Sequence, residues 1–164
     1  MKLSKICSEI ITYSFYILFF AVPLFWLPVN SELFEFNKML LVYFLTVVIL
    51  TAWVFKGLAE KELKIKRTVL DLPILLFLAA NIFSTIFSLD PHTSFFGYYG
   101  RWNGGLLSTF AYIALYYALV SNSDKKQAFQ YLATILFSGV LVAIYGVLQH
   151  PNPLFSQKVG STTI

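Results

Sequence analysis

Charge is scarce in this chain: 12% of its 164 residues are Asp, Glu, Lys or Arg, against 58% that are apolar. With a mean hydropathy of +0.72, that balance excludes a water-soluble domain, which carries about twice that share of charge. Cysteine is nearly absent. Cys7 stands alone, so an internal disulfide framework and a thiolate metal cluster are both excluded, and redox compartment cannot be read. Histidine is limited to His92 and His150. Two isolated imidazoles and one nearby acid, Asp90, lack the spacing of a ligand set, so neither metal nor cofactor is expected. The net charge is +4, yet the cations sit in short loops between apolar runs rather than along one face. That arrangement argues against a nucleic-acid partner.

What the chain does have is long apolar runs and aromatic rings, 17 Phe and 10 Tyr among them, as in proteins whose bilayer interfaces are lined by amphipathic rings. The opening Met1-Lys2-Leu3-Ser4-Lys5 resembles the start of a signal peptide. The run from Ile10 to Pro28 is too long for one, lacks a small-x-small cleavage site and is followed by more such runs. It reads as an uncleaved span. Further runs near the ~20 residues that a bilayer requires occupy Met39–Phe55, Val69–Ser88, Gly105–Val120 and Ala128–Leu148. They are continuous rather than alternating, and lipid admits only helices and closed barrels. The fold class expected is all-α: a polytopic helical bundle of about five spans, of which the second and fourth are short.

Lys and Arg set its orientation. With the N-terminus inside, the inner segments carry Lys2, Lys5, Lys56, Lys61, Lys64, Lys66, Arg67, Lys125 and Lys126, and the outer ones only Lys38, Arg101 and Lys158. Short basic loops stay inside, so the expectation is N-terminus in and C-terminus out. The inter-span loops are too short for a second domain, and the chain reads as one membrane domain, 1–164, forming the N-terminal part of a longer polytopic protein.

Polar residues within the spans have structural readings. Asn81, Ser84, Thr85 and Ser88 share one helix face, as do Gly139, Ala143 and Gly146, and both stripes suit helix–helix packing. Asp71, at the inner start of the third span, is expected to cap that helix. Ser108, Tyr112 and Tyr116 share a face of the fourth.

The outer loop Ser88–Gly105 differs in kind. It holds five aromatics, four glycines and one arginine. Asp90-Pro91 can start a short helix, with Asp as cap and Pro in its first turn, and the glycines permit turns that other residues resist. An ordered loop at headgroup level is expected. Phe95, Phe96, Tyr98, Tyr99 and Trp102 suit an aromatic belt there. Arg101, a cation on the depleted side between Gly100 and Trp102, has two roles open to it: gripping a phosphate with its planar fork, or serving as a structural ion pair or headgroup anchor.

A span ending Ser84-Thr85-Ile86-Phe87-Ser88 is followed by Leu89-Asp90-Pro91, Ser94-Phe95-Phe96-Gly97, Arg101 and Gly104-Gly105-Leu106-Leu107, then directly by the next span. This order resembles the bacterial O-antigen ligase family, which includes O-antigen polymerase-like and protein O-oligosaccharyltransferase members. Ile144-Tyr145-Gly146-Val147-Leu148-Gln149 and Val159-Gly160-Ser161-Thr162 are a weaker echo of the same family. The resemblance implies metal-free transfer of a glycan from a polyprenyl pyrophosphate carrier to an acceptor on the outer side of the bacterial inner membrane. Arg101, Trp102, Tyr98, Tyr99 and Gly105 are then the substrate-binding candidates, with membrane lipid and the lipid-linked glycan as partners. The family's large outer loop, to which catalytic Arg and His residues are usually assigned, would lie beyond Ile164, and no catalytic residue is identified here. Two rival readings are a transporter or flippase for an anionic or lipid-linked substrate, and a membrane assembly subunit without a site.

Overall fold

The computed structural model describes residues 2–24, 34–98 and 101–149. Within them the chain is all-helical: α1 (Lys2–Leu24), α2 (Phe34–Glu60), α3 (Asp71–Ile86), the short α4 (Pro91–Phe96), α5 (Leu106–Asn122) and α6 (Lys125–Gln149). Three segments, Lys2–Leu24, Glu35–Glu60 and Lys125–Val147, are long and apolar enough to cross a membrane. The other two long helices, α3 and α5, have 16 and 17 residues. At about 1.5 Å per residue they measure roughly 25 Å, less than the ~30 Å of hydrocarbon.

A helix thus stands at each of the five expected positions, but the lengths differ from expectation. The second, expected to be short, is the longest at 27 residues. Glu35, Lys56 and Glu60 are polar enough to end an apolar run yet are sound helix formers, so the helix continues through them. The third is the shortest, because Thr68–Leu70 form a turn before it.

Packing centres on α1, which lies against α2, α5 and α6. Ile11 and Phe15 of α1 meet Val42, Ile49 and Ala52 of α2, Leu115 and Ala118 of α5 and Tyr131 of α6 in one buried cluster. In lipid such contacts gain little from water exclusion, so close fit decides, and Ala52 and Ala118 let backbones approach. Ser138 of α6, fully buried, donates across to the Phe19 carbonyl of α1 at 3.1 Å. Among the described residues the stripe on α6 has no such partner: a Cβ added at Gly139 or Gly146 meets none of them within 4 Å.

Polar ties show how the helix ends alternate. Ser4 of α1 bonds Glu60 of α2; Lys56 of α2 bonds Asn122 of α5 at 3.0 Å; Thr68 and Asp71 bond Tyr116 and Tyr117 of α5 at 3.0 and 3.1 Å. One end of the bundle therefore gathers the start of α1, the end of α2, the start of α3 and the end of α5. The loop bearing α4 lies at the other end, beside the start of α2.

Helix α3 buries no residue. Of its polar stripe, Asn81 donates to the Phe77 carbonyl and Thr85 to the Asn81 carbonyl, both within the helix at 2.8 Å, while Ser88, just beyond its end, accepts from Ser94 of α4. Asp71 is not a cap either. It is the first helical residue, after Leu70 at the cap position, and its Oδ1 reaches back to Thr68 N and Oγ1 at 3.1 and 2.7 Å. That carboxylate secures α3 to the preceding turn and to α5 instead.

Candidate functional site

The loop between α3 and α5 is ordered from within, as its composition requires. Asp90 caps α4, its carboxylate accepting from Thr93 N at 3.3 Å, and Pro91 occupies the first helical turn. These hydrogen bonds from Thr93 hold the Asp90 carboxyl below the usual range. Ser94 donates to Ser88 Oγ at 2.6 Å, closing the turn that leads into α4.

After α4 the chain must fold back tightly to enter α5, and glycine makes that possible. Gly97 has φ of +90°, and a Cβ there would overlap the Asn103 carbonyl; one on Gly105 would overlap Gly97 N and lie 2.6 Å from the Phe95 carbonyl. Segments 95–97 and 103–105 therefore cross with their backbones in contact. Gly105 also starts α5. Buried Ser108 finishes the junction, accepting from Gly104 N at 3.1 Å and donating to the Gly105 carbonyl at 2.7 Å.

Arg101 and Trp102 project from this crossing. Both backbone N–H groups bond the Tyr98 carbonyl, at 3.0 and 3.2 Å. Trp102 has a positive φ of 52°, which a bulky residue adopts only where its surroundings compel it. Tyr43 of α2 supplies part of that compulsion, donating to the Trp102 carbonyl at 2.7 Å. Tyr112 of α5 is 3.2 Å from both Asn103 Oδ1 and Met39 Sδ. The Trp102 ring meets Phe96 at 5.9 Å and, edge-on, Phe36 at 6.1 Å.

The Arg101 guanidinium, about half exposed, lies with Nε 3.6 Å from Glu35 Oε2. Among the described residues this is its side-chain partner, and the Nη edge keeps two parallel donors in the geometry that suits a phosphate. The same loop carries a cavity of about 270 Å³ lined by His92, Thr93, Phe96, Gly97 and Trp102, just under the ~300 Å³ at which drug-sized pockets begin. Its walls are largely aromatic, and His92 and Thr93 are polar side chains among them, the Thr93 hydroxyl donating to the Asp90 carboxylate. Among the described residues the other cation of this end, Lys38, reaches the Pro23 carbonyl at 3.5 Å.

Of the residues singled out from sequence, Arg101, Trp102 and Gly105 are brought together. Tyr98 contributes its carbonyl while its ring is exposed, and Tyr99 and His150 lie outside the described residues. Sequence reading missed Glu35 and Phe36, and it missed Tyr43 and Met39 as supports. The last two share a helix face four residues apart, and a tyrosine hydroxyl within an apolar run requires a partner. That requirement was the available signal. Among the described residues no three His, Cys, Asp or Glu side chains converge as metal ligands.

Comparison with protein-family models, curated proteins and solved structures finds no match to this chain.

Proposed function

We propose that the chain is the N-terminal membrane region of an O-antigen ligase-like glycosyltransferase, and that the loop Ser88–Gly105 receives the pyrophosphate of a polyprenyl-linked glycan. In this reading the chain crosses the bacterial inner membrane five times, N-terminus inside and loop outside. Helices α3 and α5 span by local bilayer thinning, at a cost of a fraction of a kcal/mol per Å. The observation that carries the reading is Arg101: a half-exposed guanidinium with its fork presented from a loop rigidly crossed at Gly97 and Gly105.

The chemistry fits that placement. A departing pyrophosphate gains negative charge, and a preorganised cation stabilises it more than it stabilises the bound substrate. Glu35 holds the guanidinium through Nε and leaves the Nη edge to the phosphate. The aromatic cavity of the same loop, which Trp102 lines directly after Arg101 in the chain, suits the first sugar ring, with C–H faces against Phe96 and Trp102 and hydroxyls toward His92 and Thr93.

Transfer from lipid-linked donor, measured in membranes of cells expressing the whole reading frame, tests the proposal. Arg101→Ala should lower the rate roughly a hundredfold, the weight of about 3 kcal/mol at a preorganised donor. Arg101→Lys should recover only part, since it keeps charge but loses the fork. An Arg101→Ala protein with normal insertion and undiminished transfer would reduce Arg101 to a partner for Glu35. Donor binding that depends on Arg101, with translocation but no bond cleavage, would favour a flippase.

A further inference from the structure

The opposite end of the bundle holds a second built feature. The first turns of α1 and the last turns of α2 enclose an open groove of about 670 Å³, within the range that receives small ligands. Lys5, Lys56 and Lys64 line it with the hydroxyl residues Ser4 and Ser8, against one acid, Glu60. Three cations face one carboxylate. Glu60 is occupied by Ser4 at 2.5 Å and Lys64 at 3.9 Å, and Lys64 is shared with Glu62, also at 3.9 Å. Lys56 donates to the neutral Asn122, and Lys5 has no partner among the described residues. Two lysines thus keep charge that no ion pair neutralises.

We propose that this groove binds the phosphate headgroup of an anionic phospholipid. Ammonium groups and hydroxyls around a concave site are phosphate-binding chemistry. Its place at the ends of two spanning-length helices is the headgroup level, where basic pockets between helices take up acidic lipids. Phe55 on α2, four residues before the groove-lining Ala59, is exposed, giving an acyl chain an apolar wall beside the groove. A soluble phosphate has no use for that wall. The site depends neither on glycosyl transfer nor on which way the chain faces the membrane.

Native mass spectrometry of the full chain, released from micelles holding equal phosphatidylglycerol and phosphatidylcholine of matched chain length, reads the preference directly. The protein should retain phosphatidylglycerol. Lys5→Gln and Lys56→Gln should each weaken retention about fivefold, the weight of one basic residue near an anionic surface. Lys5 is exposed and makes no hydrogen bond or ion pair among the described residues, so its loss should leave the fold intact. Glu60→Gln keeps an oxygen for Ser4 but removes the competing charge, and should strengthen retention by a similar factor, a gain that misfolding cannot mimic. Lys125→Gln with Lys126→Gln, outside the groove, should change nothing. Equal retention by wild type and the Lys5/Lys56 double variant would overturn the proposal. So would an equal loss from the Lys125/Lys126 pair, absence of any gain in Glu60→Gln, or displacement of the lipid by millimolar glycerol 1-phosphate.

Discussion

Three glycines of this protein differ in what a methyl group would meet, and that difference orders their expected sensitivities. At Gly105 a Cβ runs into the backbone of Gly97 and Phe95, so segments 95–97 and 103–105 must separate. At Gly104 there is open space but φ is +82°, so the strain is conformational alone, about 1 kcal/mol. At Gly139 there is open space and a helical backbone, where alanine is favoured. Thermal unfolding in detergent should rank the alanine variants accordingly: Gly105 most destabilised, by about 1–3 kcal/mol as for other overpacked sites, Gly104 less, and Gly139 unchanged or slightly stabilised. Equal melting of Gly105→Ala and Gly139→Ala would mean that the backbone crossing does not hold the loop. The cap at Asp90 and the turn glycines were legible because their partners lie within a few residues. Glu35 was not, since the fold alone brings it to Arg101.

Short helices need their ends secured, and α4, with six residues, relies on Asp90. Thr93 donates to the Asp90 carboxylate through both its hydroxyl and its N–H, and the carboxyl is held below its ordinary value chiefly by that hydroxyl. A carboxyl whose folded value is depressed lends stability that is complete above its unfolded value, about 3.9, and is lost as pH falls through the folded one. Amide protection at Ser94 and Gly97, referred to the intrinsic exchange rate at each pH, should therefore fall below about pH 4 in the native chain. Asp90→Asn should flatten that response, since the amide keeps an acceptor oxygen but has no proton to gain. A response that persists in Asp90→Asn would assign it to another group. At this scale the apolar runs located every long helix, while bounds and packing escaped them. Polar residues such as Glu35 and Lys56 end a run without ending a helix. Asn81 and Thr85 of α3 bond their own helix's backbone, so for them a shared face did not foretell a shared interface.

Across the whole molecule, the alternation of helix ends sorts the charges. Lys5, Lys56 and Lys64 line the groove at one end, Lys66 reaches the Ser123 carbonyl there at 3.2 Å, and Lys2, Lys61, Arg67, Lys125 and Lys126 belong to the same connections and helix starts. Among the described residues the other end has Lys38 and Arg101. Insertion retains short basic segments on the cytoplasmic side, so the lysine-rich end should face inward and the Arg101 loop outward. Two exposed positions test this orientation with little risk to the fold: Leu89, fully exposed between α3 and α4, and Glu62, in the connection after α2 and largely exposed. With Cys7 replaced by Ser, a single cysteine at Leu89 should react with an impermeant maleimide on cells whose outer barrier has been permeabilised. One at Glu62 should react only after the inner membrane is opened. The reverse pattern would put Arg101 in the cytoplasm, where a transferase acting on the outer side could not use it. Labelling of both positions in sealed cells would mean that α3 does not cross between them and the cations between α2 and α3 are not retained. The proposed lipid-headgroup groove, built from the start of α1, the end of α2 and Lys64 just after it, would remain in either case.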